Sequence, residues 1–145
     1  MALHIVKLCV GVESVDDLRA FIAWRARQAQ LAGYSDNQIH TTRMCPKRAD
    51  EIVGQGSLYW VIKGSIQCRQ KIIELNQFTD VDQTKRCDIV MSPELILTVP
   101  QPKRPFQGWR YLNASDAPAD LPNNGAGSTE VDPKMAQELS DLGLL

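Results

Sequence analysis

The fold of this chain is decided by the stretch Gly56-Ser57-Leu58-Tyr59-Trp60-Val61-Ile62-Lys63-Gly64-Ser65-Ile66-Gln67-Cys68-Arg69-Gln70-Lys71-Ile72. Residues 58–62 are all apolar or aromatic, which is typical of a strand buried on both faces. From Ile66 onward, apolar and polar residues alternate, which is typical of an antiparallel strand with one wet face. The alternation slips at Ile72-Ile73, where a bulge is expected. Gly64 permits a tight turn, so the stretch predicts two strands joined by a short connection.

Further strands and one long helix are predicted around this centre. The run from His4 to Val12 is almost continuously apolar and predicts a buried strand. Ser14 begins a helix, with Asp17 three positions later as in a capping box, and Gly33 ends it. Short strands are predicted at residues 39–43, 86–91 and 95–99, with one or two helical turns at residues 48–53.

The resulting fold class is α+β. We expect about five strands in a curled antiparallel or mixed sheet or a small β-barrel, with one long N-terminal helix and a short C-terminal helix. Residues 1–113 form the folded domain. Residues 114–131 are rich in Ala, Pro, Asn, Gly and Ser and predict a flexible linker. Residues 132–145 predict an amphipathic helix with an apolar stripe at Met135, Leu139 and Leu142.

Charge is distributed unevenly along the 145 residues, although the net charge is only -1. Residues 1–39 carry four cations and four anions. Residues 40–112 carry eleven cations and seven anions, a net charge of +4, whereas residues 113–145 carry one cation and six anions, a net charge of -5. A basic middle beside an acidic tail is typical of a nucleic-acid surface, and two solvated faces that balance each other are the alternative.

The four cysteines, at positions 9, 45, 68 and 87, form no C-x-x-C pair. Only His4 and His40 are present to complete a metal site, so neither a metal nor another cofactor is expected. Without a secretory signal or a dense cysteine framework, we expect reduced thiols in a cytoplasmic protein. No apolar run of about 18 residues predicts a membrane span.

Two segments combine cations with aromatic or apolar side chains: residues 42–48 and the proline-flanked residues 102–111. Cations hold phosphate, and flat aromatic faces stack on bases. If residues 109–111 are extended, Trp109 and Tyr111 share one face and Arg110 lies on the other. Lys63 is expected at a strand end that faces the same cleft. The candidate nucleic-acid-binding residues are Arg43, Lys47, Arg48, Lys63, Arg104, Trp109, Arg110 and Tyr111.

Candidates for catalysis are few. Cys45 with His40 is the only pair suited to nucleophilic catalysis, since a reactive thiolate needs a nearby cation or histidine to lower its pKa. Glu74 and the adjacent Asp50 and Glu51 offer carboxylates, but no second carboxylate is spaced to form a convincing acid–base pair.

Two resemblances accompany these patterns. Residues 56–64, Arg69-Gln70 and residues 104–112 resemble an uncharacterised alphaproteobacterial family of short proteins, a domain of unknown function, over nearly the whole chain. More distantly, Thr41-x-Arg43, the glycine before the strand at residues 56–62 and the long strand after it are similar to ASCH and PUA-like domains. That resemblance implies a small β-barrel that holds RNA or a modified nucleoside. Some such domains are hydrolases; the matching residues would be Thr41 and Glu74, with Gln38 where those enzymes have lysine.

The sequence therefore predicts a non-catalytic RNA-binding module with a basic, aromatic-lined cleft. The expected ligand is tRNA, rRNA or a modified nucleoside. A small hydrolase of acylated nucleosides or amides is the first alternative. The second is a protein-interaction module, whose C-terminal helix docks on a partner or covers the basic cleft of its own chain.

Overall fold

The computed structural model describes residues 2–122. The elements follow in the order β1 (Leu3–Leu8), α1 (Val15–Leu31), β2 (Gln38–Thr42), α2 (Ala49–Ile52), β3 (Ser57–Ile62), β4 (Ser65–Thr79), β5 (Lys85–Met91), β6 (Ile96–Pro102) and β7 (Trp109–Asn113), and a 3-10 turn at Ala114–Asp116 ends the series. The α+β class is confirmed. These residues contain seven strands rather than about five, and β7 lies in a proline-flanked segment that was expected only to be extended.

One mixed sheet holds the strands in the order β2-β5-β4-β3-β1-β7, and β6 also pairs with β4. β1 and β3 are parallel, and the other pairings are antiparallel. Lys63 and Gly64 form the β3–β4 turn with φ angles of 51° and 80°, a left-handed conformation that glycine adopts without steric cost. The stretch from residue 56 to residue 72 therefore forms the central hairpin of the sheet.

The long helix α1 follows the strand β1. It is therefore not the first element of the described residues, and the description of it as an N-terminal helix is wrong. Ser14 caps α1 by accepting a hydrogen bond from the Asp17 backbone N–H at 3.1 Å. Val15, Leu18 and Ile22 bury one side of α1 in the main core. That core also contains Trp60 and apolar residues of β1, β3, β4 and β5. The helix is thus held by packing on one face of the sheet.

The sheet curls without closing, so the β-barrel alternative is wrong. β4 is 15 residues long, and its pairing with β5 shifts register between Ile72 and Glu74, where the alternation of the sequence slips. This bulge bends β4 and carries β5 and β2 over the helix-covered face. Within residues 2–122 the outer strands β2 and β7 share no backbone pairing. They approach through a side-chain contact, in which the Trp109 indole N–H donates to the Met44 carbonyl at 2.8 Å.

Residues 114–122, the first part of the predicted linker, lie against the sheet. The Arg69 guanidinium binds Asp120 through two hydrogen bonds of 2.9 and 2.8 Å. Leu121 N–H donates to the Leu97 carbonyl, and Thr98 forms a β-bridge with Asp120. The remainder of the predicted linker and the predicted helix at residues 132–145 lie outside the described residues.

Cys45 and Cys87 form a disulfide, with their Cα atoms 4.9 Å apart. The expectation of reduced thiols is wrong for this pair, whereas Cys9 and Cys68 are free. The pairing of β2 with β5 places Cys87 opposite Thr42, and the loop after β2 brings Cys45 to it. The sequence separation of 42 residues conceals this proximity. No helix within residues 2–122 is long and apolar enough to cross a membrane.

Candidate functional site

A cleft of about 690 Å³ lies between the two outer strands of the curled sheet. One wall comes from β2 and the loop after it, and the other from β7 and the loop before it. The lining residues are Lys7, His40, Thr41, Thr42, Arg43, Met44, Arg86, Gln107, Gly108, Trp109, Arg110 and Tyr111. The volume lies within the range of about 300–1,000 Å³ that is usual for ligand sites.

The strand register places the two aromatic rings of β7 on one face. Trp109 pairs with Lys7 and Tyr111 with Ile5, which belongs to the helix-side core. Their rings meet edge to face at 4.9 Å. The Arg110 guanidinium lies 5.7 Å from the centre of the Phe106 ring. Phe106 packs against a second core cluster, which contains Val6, Tyr59 and Val61. Trp109 and Tyr111 therefore form one aromatic wall of the cleft.

Both rings also hold the loop that follows β2. The Trp109 indole N–H donates to the Met44 carbonyl, and the Tyr111 hydroxyl accepts from the Arg48 backbone N–H at 3.3 Å. The Arg48 guanidinium lies 5.7 Å from the centre of the Tyr111 ring. The Trp109 N–H is thus engaged within the protein, and the Tyr111 hydroxyl keeps only its own hydrogen to donate, so a ligand meets mainly their ring faces. Tyr111 is 39% exposed.

The cleft has an excess of positive charge. Among the residues that the structure describes, Lys7, Arg43 and Arg110 have no carboxylate within 4.0 Å. The fourth cation of the lining, Arg86, is paired with Asp80 at 2.8 Å. Unpaired cations beside aromatic faces suit a ligand that carries both phosphate and flat rings.

Some of the predicted binding residues lie elsewhere. Arg48 contacts the cleft only through Tyr111, and its guanidinium is paired with Glu51 at 2.6 Å. Lys63 sits in the β3–β4 turn, exposed and outside the lining, contrary to the expectation that it faces the cleft. Lys47 and Arg104 are exposed on loops and do not line the cleft either. The structure thus brings together Arg43, Trp109, Arg110 and Tyr111.

The candidate catalytic residues do not assemble. Cys45 is held in the disulfide and has no free thiol. Glu74 does not line the cleft, and its carboxylate accepts a hydrogen bond from the Asn76 amide at 3.3 Å. Thr41 does line the cleft, but its hydroxyl donates to Asp88 at 2.6 Å.

Two charged lining residues, Lys7 and Arg86, were missed by the sequence analysis, and His40 was considered there only as a partner of Cys45 or as a metal ligand. Lys7 is the only charged residue in the apolar run at positions 5–10, which was a usable signal. Arg86 carried no such signal, because its position depends on how β5 folds over the sheet. Burial lowers the pKa of His40 to about 4, with smaller contributions from Lys7 and Arg25. The imidazole is therefore neutral near pH 7.

A second cavity, of about 660 Å³, lies at the opposite ends of β1 and β3. His4, Tyr59, Arg69 and Asp120 are among its lining residues. His4 Nδ1 accepts the Ser57 backbone N–H at 2.9 Å, and burial lowers its pKa. Since Arg69 binds both Asp120 and the Ser57 hydroxyl, these side chains fasten residues 114–122 to the sheet.

Comparison with known proteins identifies the family. A family model described as protein of unknown function DUF1489 matches residues 5–145, and the chain belongs to that family. No curated protein and no solved structure matches the chain.

Proposed function

We propose that the protein binds single-stranded RNA, or a modified nucleoside within it, in the cleft between β2 and β7. The observation that best supports this proposal is that unpaired cations and an aromatic wall line the same cavity. Lys7 and Arg43 supply charge for phosphates, Arg110 adds positive charge from the other face of β7, and Trp109 and Tyr111 supply ring faces for bases. The expected partner is tRNA or rRNA, and the expected location is the cytoplasm.

The distant resemblance of residues 39–91 to ASCH and PUA-like domains supports the same class of ligand. The sheet is open, so the site differs from a cleft in a closed barrel. The gap between the outer strands provides the opening, and a flexible, unpaired nucleotide is the form of RNA that fits a narrow cleft.

The hydrolase alternative has weaker support. The glutamate that it requires, Glu74, does not line the cleft, and the carboxylate beside Thr41 is Asp88. The proposal is accordingly one of binding without chemistry.

The test compares two arginines, one that lines the cleft and one that lies outside it. Arg43 lines the cleft, whereas Arg104 is exposed on the β6–β7 loop outside it. Single-stranded RNA is titrated into the wild-type protein, the Arg43→Ala variant and the Arg104→Ala variant at several salt concentrations. We expect the Arg43→Ala variant to bind about tenfold more weakly and to show a salt slope smaller by about one.

The Arg104→Ala variant is expected to bind like the wild type. Equal losses in both variants would indicate diffuse electrostatic attraction and contradict a specific cleft. Absence of salt-sensitive binding by the wild-type protein would contradict the proposed function itself.

A further inference from the structure

His40 has a buried ring nitrogen without a hydrogen-bond partner within residues 2–122, which the cleft alone does not explain. Its Nε2 atom is buried and is the only such side-chain polar atom among the described residues that lacks a hydrogen-bond partner. Buried polar groups in proteins are nearly always paired, because an unpaired one costs its full desolvation energy. Its lowered pKa keeps the ring neutral, so each ring nitrogen offers one hydrogen-bonding function.

His40 stands where two cavities adjoin. One is the cleft, and the other, called the inner cavity, is a partly open cavity of about 200 Å³ between α1 and the sheet, with the exposed Val10 and Phe21 in its lining. Lys7 and His40 line both. The imidazole contacts the Trp60 ring edge to face, with ring centres 5.4 Å apart. This contact fixes the ring at the junction.

The inner cavity is lined mainly by apolar side chains, among them Val12, Leu18, Ile22 and Met91. Two glutamines also line it, and both have partners. Gln70 accepts from the Trp60 indole N–H at 2.8 Å and donates to the Ser92 carbonyl at 2.9 Å. The Gln38 side chain donates to the Asp36 carbonyl at 3.1 Å.

A mainly apolar pocket with a few polar groups, here His40, Lys7 and Arg25 beside the two glutamines, suits a flat ring with apolar faces and a polar edge. A cavity of about 150 Å³ is sufficient for benzene. The inner cavity therefore has room for a small heterocycle, and the cationic cleft adjoins it.

We propose that the inner cavity receives a nucleobase, whose polar edge hydrogen-bonds to His40 Nε2 while its phosphate is held in the cleft. This inference rests on the proposed function and adds the recognition of a base to it. Lys7, at the junction, neutralises the phosphate or binds the ribose. The chemical class of the ligand is a nucleoside or nucleotide with its base turned out of any stack.

The experiment follows the His40 ring nitrogens by NMR in the full chain. Single-stranded RNA and the four common nucleosides are added separately. We expect RNA and at least one nucleoside to shift the Nε2 resonance. In the His40→Phe variant, which keeps an aromatic ring against Trp60, that nucleoside should bind about five- to tenfold more weakly. The His40→Gln variant, which restores a polar group, should recover part of the loss, and it also serves if the phenylalanine variant fails to fold.

The His4→Gln variant is the matched control, since the other histidine lies at the second cavity, and it should retain nucleoside binding. If RNA binds and depends on Arg43 while the Nε2 resonance does not move, the base pocket is overturned and the cleft stands. If a nucleoside shifts Nε2 but RNA does not bind, the base pocket stands and the RNA proposal fails. If none of the probes moves Nε2, the inference is overturned.

Discussion

Gly56 occupies a position where the fold has no room for a side chain. It is buried at the start of β3, and its N–H donates to the Ile52 carbonyl at 2.7 Å. A Cβ atom at this position would overlap the carbonyl oxygen of Leu3 on β1. Because both partners are backbone, neither relaxes by a change of rotamer. The close approach of two backbones, rather than a special φ, requires glycine here.

We expect the Gly56→Ala variant to lose roughly 3 kcal/mol of unfolding free energy, measured by urea denaturation. The Gly54→Ala variant is the matched control. Gly54 has a φ of 75°, and a methyl group added there would have no atom within 4 Å, so that variant should lose only about 1 kcal/mol. Equal losses at the two positions would contradict the proposed overlap with Leu3.

At the same scale, the sequence predicted local geometry well and long-range placement poorly. The alternation at residues 109–111 predicted which side chains share a face, because side-chain direction in a strand repeats every two residues. Whether a loop arginine faces the cleft depends on contacts distant in sequence. Arg43 is placed by the loop that Trp109 and Cys87 hold, whereas Arg104 has no such constraint among the described contacts.

Among the elements, β4 shows what a sequence pattern can and cannot predict. The adjacent Ile72 and Ile73 indicated a bulge, and the pairing of β4 with β5 shifts there. The consequence, an open curl instead of a closed barrel, was not predictable from that pattern. Closure depends on whether the outer strands β2 and β7 meet in register, and no local pattern encodes that.

The segment after β7 depends on one ion pair for its attachment. The hydrogen bonds from Arg69 hold the pKa of Asp120 below its usual value. A carboxylate with a lowered folded-state pKa stabilises the fold above its unfolded pKa of about 3.9, and that contribution disappears as the pH falls through the folded-state pKa. The attachment should therefore weaken in acid.

We expect the Asp120→Asn variant to lose up to about 1 kcal/mol of unfolding free energy at pH 7. The difference from the wild type should shrink as the pH falls below about 4. Hydrogen exchange at the Leu121 amide, which donates to Leu97, should accelerate in the variant at pH 7. The control is Asp116→Asn in the same segment, since Asp116 forms no ion pair among the described residues. A difference that persists unchanged well below the pKa of about 3.9 would show that the charge of Asp120 is not its source.

At the scale of the whole molecule, the uneven charge distribution predicts that the acidic residues 123–145 affect binding in the basic cleft. Residues 123–145 carry four carboxylates and one lysine, so their removal changes the net charge of the chain from -1 to +2. The described segment up to Pro122 must be kept, because Asp120 fastens it to Arg69. A cut after residue 122 therefore removes acidic charge while sparing the ion pair between Arg69 and Asp120.

On the proposed function, truncation after Pro122 should raise RNA affinity severalfold at low salt, because a less acidic protein repels phosphate less. A full-length variant in which Glu130, Asp132, Glu138 and Asp141 become amides separates charge from physical cover. Equal gains in the two proteins, both abolished at high salt, would assign the effect to charge. A gain seen only on truncation and retained at high salt would mean that the tail covers the cleft. Unchanged affinity in both proteins would contradict any masking of the cleft by residues 123–145.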